Sequence, residues 1–418
     1  MNPSTGPTTL DGSARRSVQG YGSSVNLDLT DEERAFREEA RTWLREHLPT
    51  EPRPPEGDEM RAFDLAWQRT LFDGGWAGIN WPAEFGGRGL SDIQQMIWYE
   101  EFALADPPFT LANSCTFVGN MHGGPTLIVN GTDEQKARYL PAILGGEEVW
   151  CQGFSEPGAG SDLAGLSTRA EIDGDHLVVT GQKTWTSYAH VADLQELLVR
   201  TNPDAPKHKG ITWVVCDMRS PGIDIRPIRT MSHVTDFCEV FYDEVRIPLA
   251  NVVGGIDNGW RTAMSTLSFE RGTGFMADQV ELAATVERLI DEARVRTGPD
   301  GMRPAIADDE IARRLATARA EVTALRAMTI AGISRNARTG VPGAEGSMIR
   351  LFHGELHQRV YQLALEVLGP DALRLTPVDG EGVWTGPYLQ SFAYTIGGGT
   401  TDIQRNIVGE RVLGLPRA

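Results

Sequence analysis

Cysteine is scarce: the 418 residues hold only Cys115, Cys151, Cys216 and Cys238, far apart and in no C-x-x-C pair. Such spacing argues against a disulfide framework or a zinc site and leads us to expect reduced thiols in a cytoplasmic protein. Long apolar runs are missing as well; none approaches the roughly 20 residues that span a bilayer. Basic residues are outnumbered, 39 Lys and Arg against 57 Asp and Glu, for a formal net charge of −18. A field of that sign repels nucleic acid backbones, although a local basic patch can still hold a nucleotide's phosphates. Residues 1–24 are rich in Ser, Thr and Gly and carry Arg15-Arg16 without an apolar centre. They read as a disordered lead-in rather than a secretory signal. No GxGxxG follows a strand pattern, which excludes a Rossmann enzyme. The histidines are scattered, none beside a cysteine or serine in a nucleophile arrangement.

What is present is the texture of a globular chain, 40% hydrophobic and 23% charged. Thr30 and Glu33 form a capping box, and Phe36, Ala40, Leu44 and Leu48 follow at helical spacing. Helical pattern resumes over 60–72, 91–105 and 132–144, so residues 25–148 read as a helical domain. From 149 to 257 β-branched and aromatic residues alternate with polar ones. Gly174-Asp175 reads as a hairpin turn, and strands are expected at 177–179, 211–215, 223–225 and 239–242. Helical texture returns over 258–418, in segments near 260–295, 308–338, 348–368 and 401–412. The expected class is α+β: helical domain, β-barrel-like or sandwich domain, helical bundle.

One stretch stands out. Gly153-Phe154-Ser155-Glu156-Pro157-Gly158-Ala159-Gly160-Ser161-Asp162 packs three glycines, a proline and two serines into ten residues. Such a loop can crowd backbone N–H groups around an anionic phosphate. By its glycines alone it is equally a surface turn between domains. Trp185, taken alone, reads as a core residue more often than as a cofactor contact. Thr400 and Thr401 stand where a helix begins, and either can cap it.

The 153–162 phrase resembles the flavin-binding signature of the acyl-CoA dehydrogenase family, and further phrases follow in the family's order. Gly181-Gln182-Lys183-Thr184-Trp185-Thr186-Ser187 resembles its second flavin segment, and Thr400-Thr401-Asp402-Ile403-Gln404-Arg405-Asn406 its C-terminal signature. The resemblance covers about residues 26–417. It implies a three-domain flavoprotein of lipid metabolism that binds FAD and removes hydrogen from an acyl-CoA thioester. It further implies that Gln152, Phe154, Ser155, Gly160, Ser161, Trp185, Ser187, Thr400 and Asp402 contact FAD. Ser161, Ser268, Arg271, Gly398 and Gly399 would lie along the substrate. Electrons would leave to an electron-transfer flavoprotein or a similar acceptor, from a homodimer or homotetramer.

The reaction needs a carboxylate to take the α proton while the β hydrogen passes as hydride to the flavin. Most of the family carries that carboxylate where this chain has Gly398, and glycine cannot accept a proton. The isovaleryl-CoA and long-chain branches place it on a helix, at the position matching Glu270. Independently, Ala263, Leu267, Glu270 and Gly274 share one face at helical spacing, although a solvated glutamate or an ion pair would fit that pattern too. Two other phrases depart from the family: Arg294-Val295-Arg296-Thr297-Gly298 lacks a phenylalanine, and Leu368-Gly369-Pro370-Asp371-Ala372 replaces a Gly-Gly-x-Gly. Three other functions remain open: another flavin reaction such as oxidation by oxygen, a substrate carried on an acyl carrier protein, and a heteromer whose partner supplies the base.

Overall fold

A computed structural model describes residues 29–110, 113–269, 275–339, 343, 345–376 and 384–416. The expected lead-in over 1–24, Glu270 and Arg271 therefore lie outside the described residues.

The first layer is helical. Helix α1 spans Asp31–His47 and starts at the expected box: Thr30 accepts from the Glu33 N–H while the Glu33 carboxylate accepts from the Thr30 N–H. Helix α2 spans Gly57–Asp73 and α3 Asp92–Leu104. A second capping box, Ser91 with Gln94, opens α3. Phe36, Ala40 and Leu44 of α1 are buried against Trp67, Trp76 and Trp98, where the indoles of Trp76 and Trp98 stack at 4.3 Å. A short helix α4, Gly124–Asn130, leads into α5, Asp133–Leu144, which is capped by Thr132 and Gln135.

Eight strands follow as one sheet: β1 (Trp150–Gly153), β2 (Arg169–Asp173), β3 (His176–Ser187), β4 (Leu194–Arg200), β5 (Ile211–Asp217), β6 (Ile223–Ile228), β7 (Phe237–Pro248) and β8 (Val252–Val253). The path runs β6-β7-β3-β2-β4-β5-β8, with β1 lying parallel to β4. The hairpin at Gly174-Asp175 joins β2 to β3. Strands β4 and β5 are almost wholly buried, so their side chains do not alternate between core and water.

The third layer comprises α6 (Gly259–Phe269), α7 (Phe275–Val295), α8 (Asp309–Thr339), α9 (Glu345–Leu368), α10 (Thr385–Ser391) and α11 (Thr401–Ile407). Leu282, Val286 and Leu289 of α7 meet Leu315 and Val322 of α8 and Leu356, Val360 and Leu363 of α9 in one apolar core. On α6, Ala263 is fully buried and Leu267 packs against the core beneath the sheet. Helix α11 passes into a wider turn over Val408–Val412. Among the described residues, no helix is long and apolar enough to cross a membrane. All four cysteines are buried free thiols.

Candidate active site

The glycine loop leaves the sheet at the end of β1 and is tied down by a charge that the sequence reading did not single out. Lys183 of β3 is fully buried and its Nζ lies 2.8 Å from Glu156 Oε1 and 3.0 Å from the Phe154 carbonyl. Glu156 also accepts from the N–H groups of Ser167 and Thr168, at 2.7 and 2.9 Å, and from the Ser167 hydroxyl. Burial disfavours the Glu156 carboxylate, but the ammonium of Lys183 and these donors outweigh it and hold the acid down to about 2. Burial draws Lys183 down to about 8 against the pull of Glu156, so both carry charge near neutral pH. The Ser155 carbonyl accepts from the Thr184 N–H at 2.9 Å, stitching loop to strand.

Beyond this anchor the loop is open. Gly158 and Gly160 would meet nothing within 4 Å if given a Cβ, and Ser161 is exposed. Gln152 turns to a buried cluster, donating to Glu196 Oε1 at 2.7 Å and standing 3.2 Å from His122 Nδ1. The Phe154 ring packs into the core, leaving its backbone on the loop side.

Trp185 is no core residue. Between Lys183 and Thr186 the pairing of β3 with β7 slips, and Thr184 and Trp185 together oppose Glu239. This bulge holds Trp185 at φ +58°, with 57% of the residue exposed and its ring edge-on to Phe237 at 5.8 Å. A bulky side chain in left-handed backbone, facing water, costs about 1–2 kcal/mol and packs little in return. Bulges commonly re-aim a side chain beside a site. Ser187 closes the same strand.

At the chain's far end Gly398 and Gly399 adopt φ +64° and +97°, which a glutamate would resist. The amide of Gln404 donates to both carbonyls, at 3.2 and 3.3 Å, and Arg350 of α9 donates to the Gly397 carbonyl. Thr400 caps α11 through the Ile403 N–H at 3.3 Å, and Asp402 is exposed and paired with Arg405 at 3.0 Å. Ser268 is exposed on α6 and donates to the Ser265 carbonyl. Of the two departing segments, the structure brings both together: Arg296 joins Glu292 at 2.5 Å and Asp371 at 2.7 Å.

A cleft of about 820 Å³ opens between the 106–110 loop and helices α7, α9 and α10. Its wall holds Asp278, His353, His357 and Tyr394. Sequence reading missed this group because its members come from separate segments; the one local sign is the four-residue step from His353 to His357, which places both on one face of α9. Burial raises the Asp278 carboxyl to about 6, against the pull of Arg350. Burial lowers His353 to about 4, assisted by Arg350 and resisted by the Asp278 backbone, and lowers His357 to about 3, assisted by His353.

Comparison with known proteins accords with this arrangement. The chain matches the acyl-CoA dehydrogenase N-terminal domain over residues 30–147, the middle domain over 151–245 and the C-terminal domain over 257–413. It is 40% identical over 391 residues to acyl-CoA dehydrogenase IpdE1 of Mycobacterium tuberculosis, covering 91% of this chain and 97% of that protein. It superposes on the solved Tcur3481-Tcur3483 steroid ACAD with a TM-score of 0.79 and 32% identity, covering 94% of this chain and 100% of the other. The ChsE4-ChsE5 complex of Mycobacterium tuberculosis gives the same TM-score, identity and coverage. With three family domains in order across most of its length, this chain belongs to the acyl-CoA dehydrogenase family and is an oxidoreductase of that kind.

Proposed function

We propose that the chain catalyses FAD-dependent α,β-dehydrogenation of an acyl-CoA thioester to the trans-2-enoyl-CoA, with Glu270 as the base that takes the α proton. The observation that carries this reading is Trp185, exposed at left-handed φ on a bulge beside an anchored, open glycine loop. The residues suit a flavin. Trp185 offers a ring face, Ser187 a small donor, the backbone at 154–155 polar edge contacts, and Gly160 and Ser161 an uncrowded approach for phosphate. Thr400 and Asp402 complete the contacts through their backbone. FAD, when bound, supplies the acceptor for the β hydrogen as hydride.

The remaining roles belong to the protein. Glu270 removes the proton because Gly398 leaves no acid at the other address. By the family resemblance Arg271 and Ser268 would serve the thioester and CoA arm, and Gly398 and Gly399 would keep that side free of side chains. Electrons then pass to an electron-transfer flavoprotein or a similar acceptor. Mixing the purified flavoprotein anaerobically with a panel of acyl-CoA thioesters should bleach the flavin absorbance and yield product two hydrogens lighter. Bleaching by no thioester would defeat the reading, and hydrogen peroxide as the main product in air would point to an oxidase.

A second reading concerns assembly. The solved relatives above carry paired names, and Gly398 lacks the family's more usual acid. Both favour a hetero-oligomer over the homodimer or homotetramer, with a partner chain completing the site. Co-expression with candidate partner chains, followed by mass measurement of the native complex, decides between them.

A further inference from the structure

One wall of the 820 Å³ cleft carries buried polar side chains where a hydrocarbon tail would need apolar ones. His353 is 1% exposed, and apart from the approach of the Asp278 backbone its ring nitrogens have no hydrogen-bond partner. Nδ1 of His357, one helical turn on, is also buried without a partner. Their rings stand 5.7 Å apart, with the Tyr394 ring 5.6 Å from His353 and 4.1 Å from His357. Asp278 of α7 lines the same wall. A buried polar group left unsatisfied costs about 1–3 kcal/mol. Several on one cavity wall call for a ligand that pairs with them, or for water.

This wall packs against the segment that leads to Gly398. Tyr394 precedes Gly398 by four residues, and α9 approaches it so closely that a Cβ on Gly354 would sit 2.7 Å from the Tyr394 carbonyl. Arg350, on the same helix as both histidines, holds the Gly397 carbonyl. Asp278 stands eight positions after Glu270 in the sequence.

Resting on the dehydrogenase reading above, we infer that this cleft receives the acyl group and that His353, His357, Asp278 and Tyr394 recognise an uncharged oxygen substituent, a hydroxyl or ring carbonyl, far from the thioester. A neutral imidazole offers one donor and one acceptor, so the pair can both give to and accept from a hydroxyl. A carboxylate tail would instead meet Asp278, Glu281, Asp291 and Glu292, four carboxylates against the guanidinium groups of Arg53, already paired with Asp64, and Arg288. The volume lies near the upper end of ordinary ligand pockets and suits a cyclic group better than a thin chain.

The test compares 4-(4-hydroxycyclohexyl)butanoyl-CoA with 4-cyclohexylbutanoyl-CoA on the holoenzyme, by kcat/KM with an artificial electron acceptor. The hydroxylated ester is expected to be preferred roughly tenfold or more, because the ester lacking the hydroxyl leaves the wall unpaired. His357→Phe should bring the two esters within about twofold of each other, while His357→Gln, which keeps a donor and an acceptor, should retain part of the preference. Tight-binding FAD and an unchanged melting temperature in the Gln variant guard against misfolding as the cause. Equal kcat/KM for both esters in the unaltered enzyme would mean that the wall holds water only, and would overturn the inference. Turnover of straight-chain acyl-CoA with neither cyclic ester accepted would overturn it too, yet leave the dehydrogenase reading standing. Failure of every acyl-CoA to reduce the flavin would remove that reading, and this inference with it.

Discussion

Lys183 reaches across from the middle of β3 to Glu156 in the glycine loop, 2.8 Å away, with both side chains buried. The pair fixes where the loop leaves the sheet, and thereby where Gly158, Gly160 and Ser161 stand relative to Trp185 two residues along the same strand. Replacing Lys183 by Met strands the Glu156 carboxylate in the interior. Breaking a buried pair from one side costs about 3–5 kcal/mol. Urea unfolding should show that loss, with FAD affinity falling alongside, and restoring neutrality with Glu156→Gln on the same chain should recover part of it.

The same carboxylate makes the fold acid-sensitive. Its folded value, about 2, lies below the ordinary 4.5. Its contribution is therefore fully present above pH 4.5 and is lost as pH falls toward 2, on the order of 3 kcal/mol in all. His353, lowered to about 4 from 6.5, acts in the same direction: its contribution is present above 6.5 and is lost as pH falls through 4. Melting temperature measured between pH 7 and 3 should fall, and Glu156→Gln should flatten the lower part of that curve.

Trp185 separates structure from function cleanly. Trp185→Gly removes the left-handed strain and an exposed ring, so unfolding of the flavin-free protein should change by no more than about 1 kcal/mol. Affinity for FAD, followed by flavin fluorescence, should drop at least roughly tenfold if the indole covers the ring. Unaltered affinity would assign Trp185 no cofactor contact.

Glu270→Gln keeps shape and removes basicity. The rate of flavin reduction by acyl-CoA should fall by about 10²–10⁴-fold or more, with the yellow FAD spectrum and KM little changed. A variant that reduces its flavin at the ordinary rate would send the search for the base to a partner chain.

Gly124 of α4 lies directly against Trp81 within the helical layer. A Cβ there would fall 1.9 Å from Trp81, whose indole is buried and bonded to the Asn120 carbonyl at 2.9 Å. Gly124→Ala should destabilise the protein by about 1–3 kcal/mol through overpacking, as read by thermal unfolding.

Local signals placed the helices that begin with side-chain caps. Thr30 with Glu33 and Thr132 with Gln135 act within four residues and are legible without a fold. Helices α4 and α10 escaped notice because neither begins with a side-chain cap and each spans only seven residues. Strand β4 escaped because both faces are buried and Gln195 and Glu196 interrupt its apolar letters. The helical reading near 260–295 is met on both sides of residues 270–274, by α6 up to Phe269 and by α7 from Phe275.

The amino-acid sequence by itself determined the order of helical and β layers, the glycine loop, and the vacancy at Gly398, because each is written in neighbouring letters. Only the tertiary structure decided that Lys183 serves Glu156, that Trp185 stands out on a bulge, that Arg296 joins Asp371, and that Asp278, His353, His357 and Tyr394 share one wall. Those contacts join residues distant along the chain, and which polar groups meet there depends on how the layers pack, a choice that no local periodicity encodes.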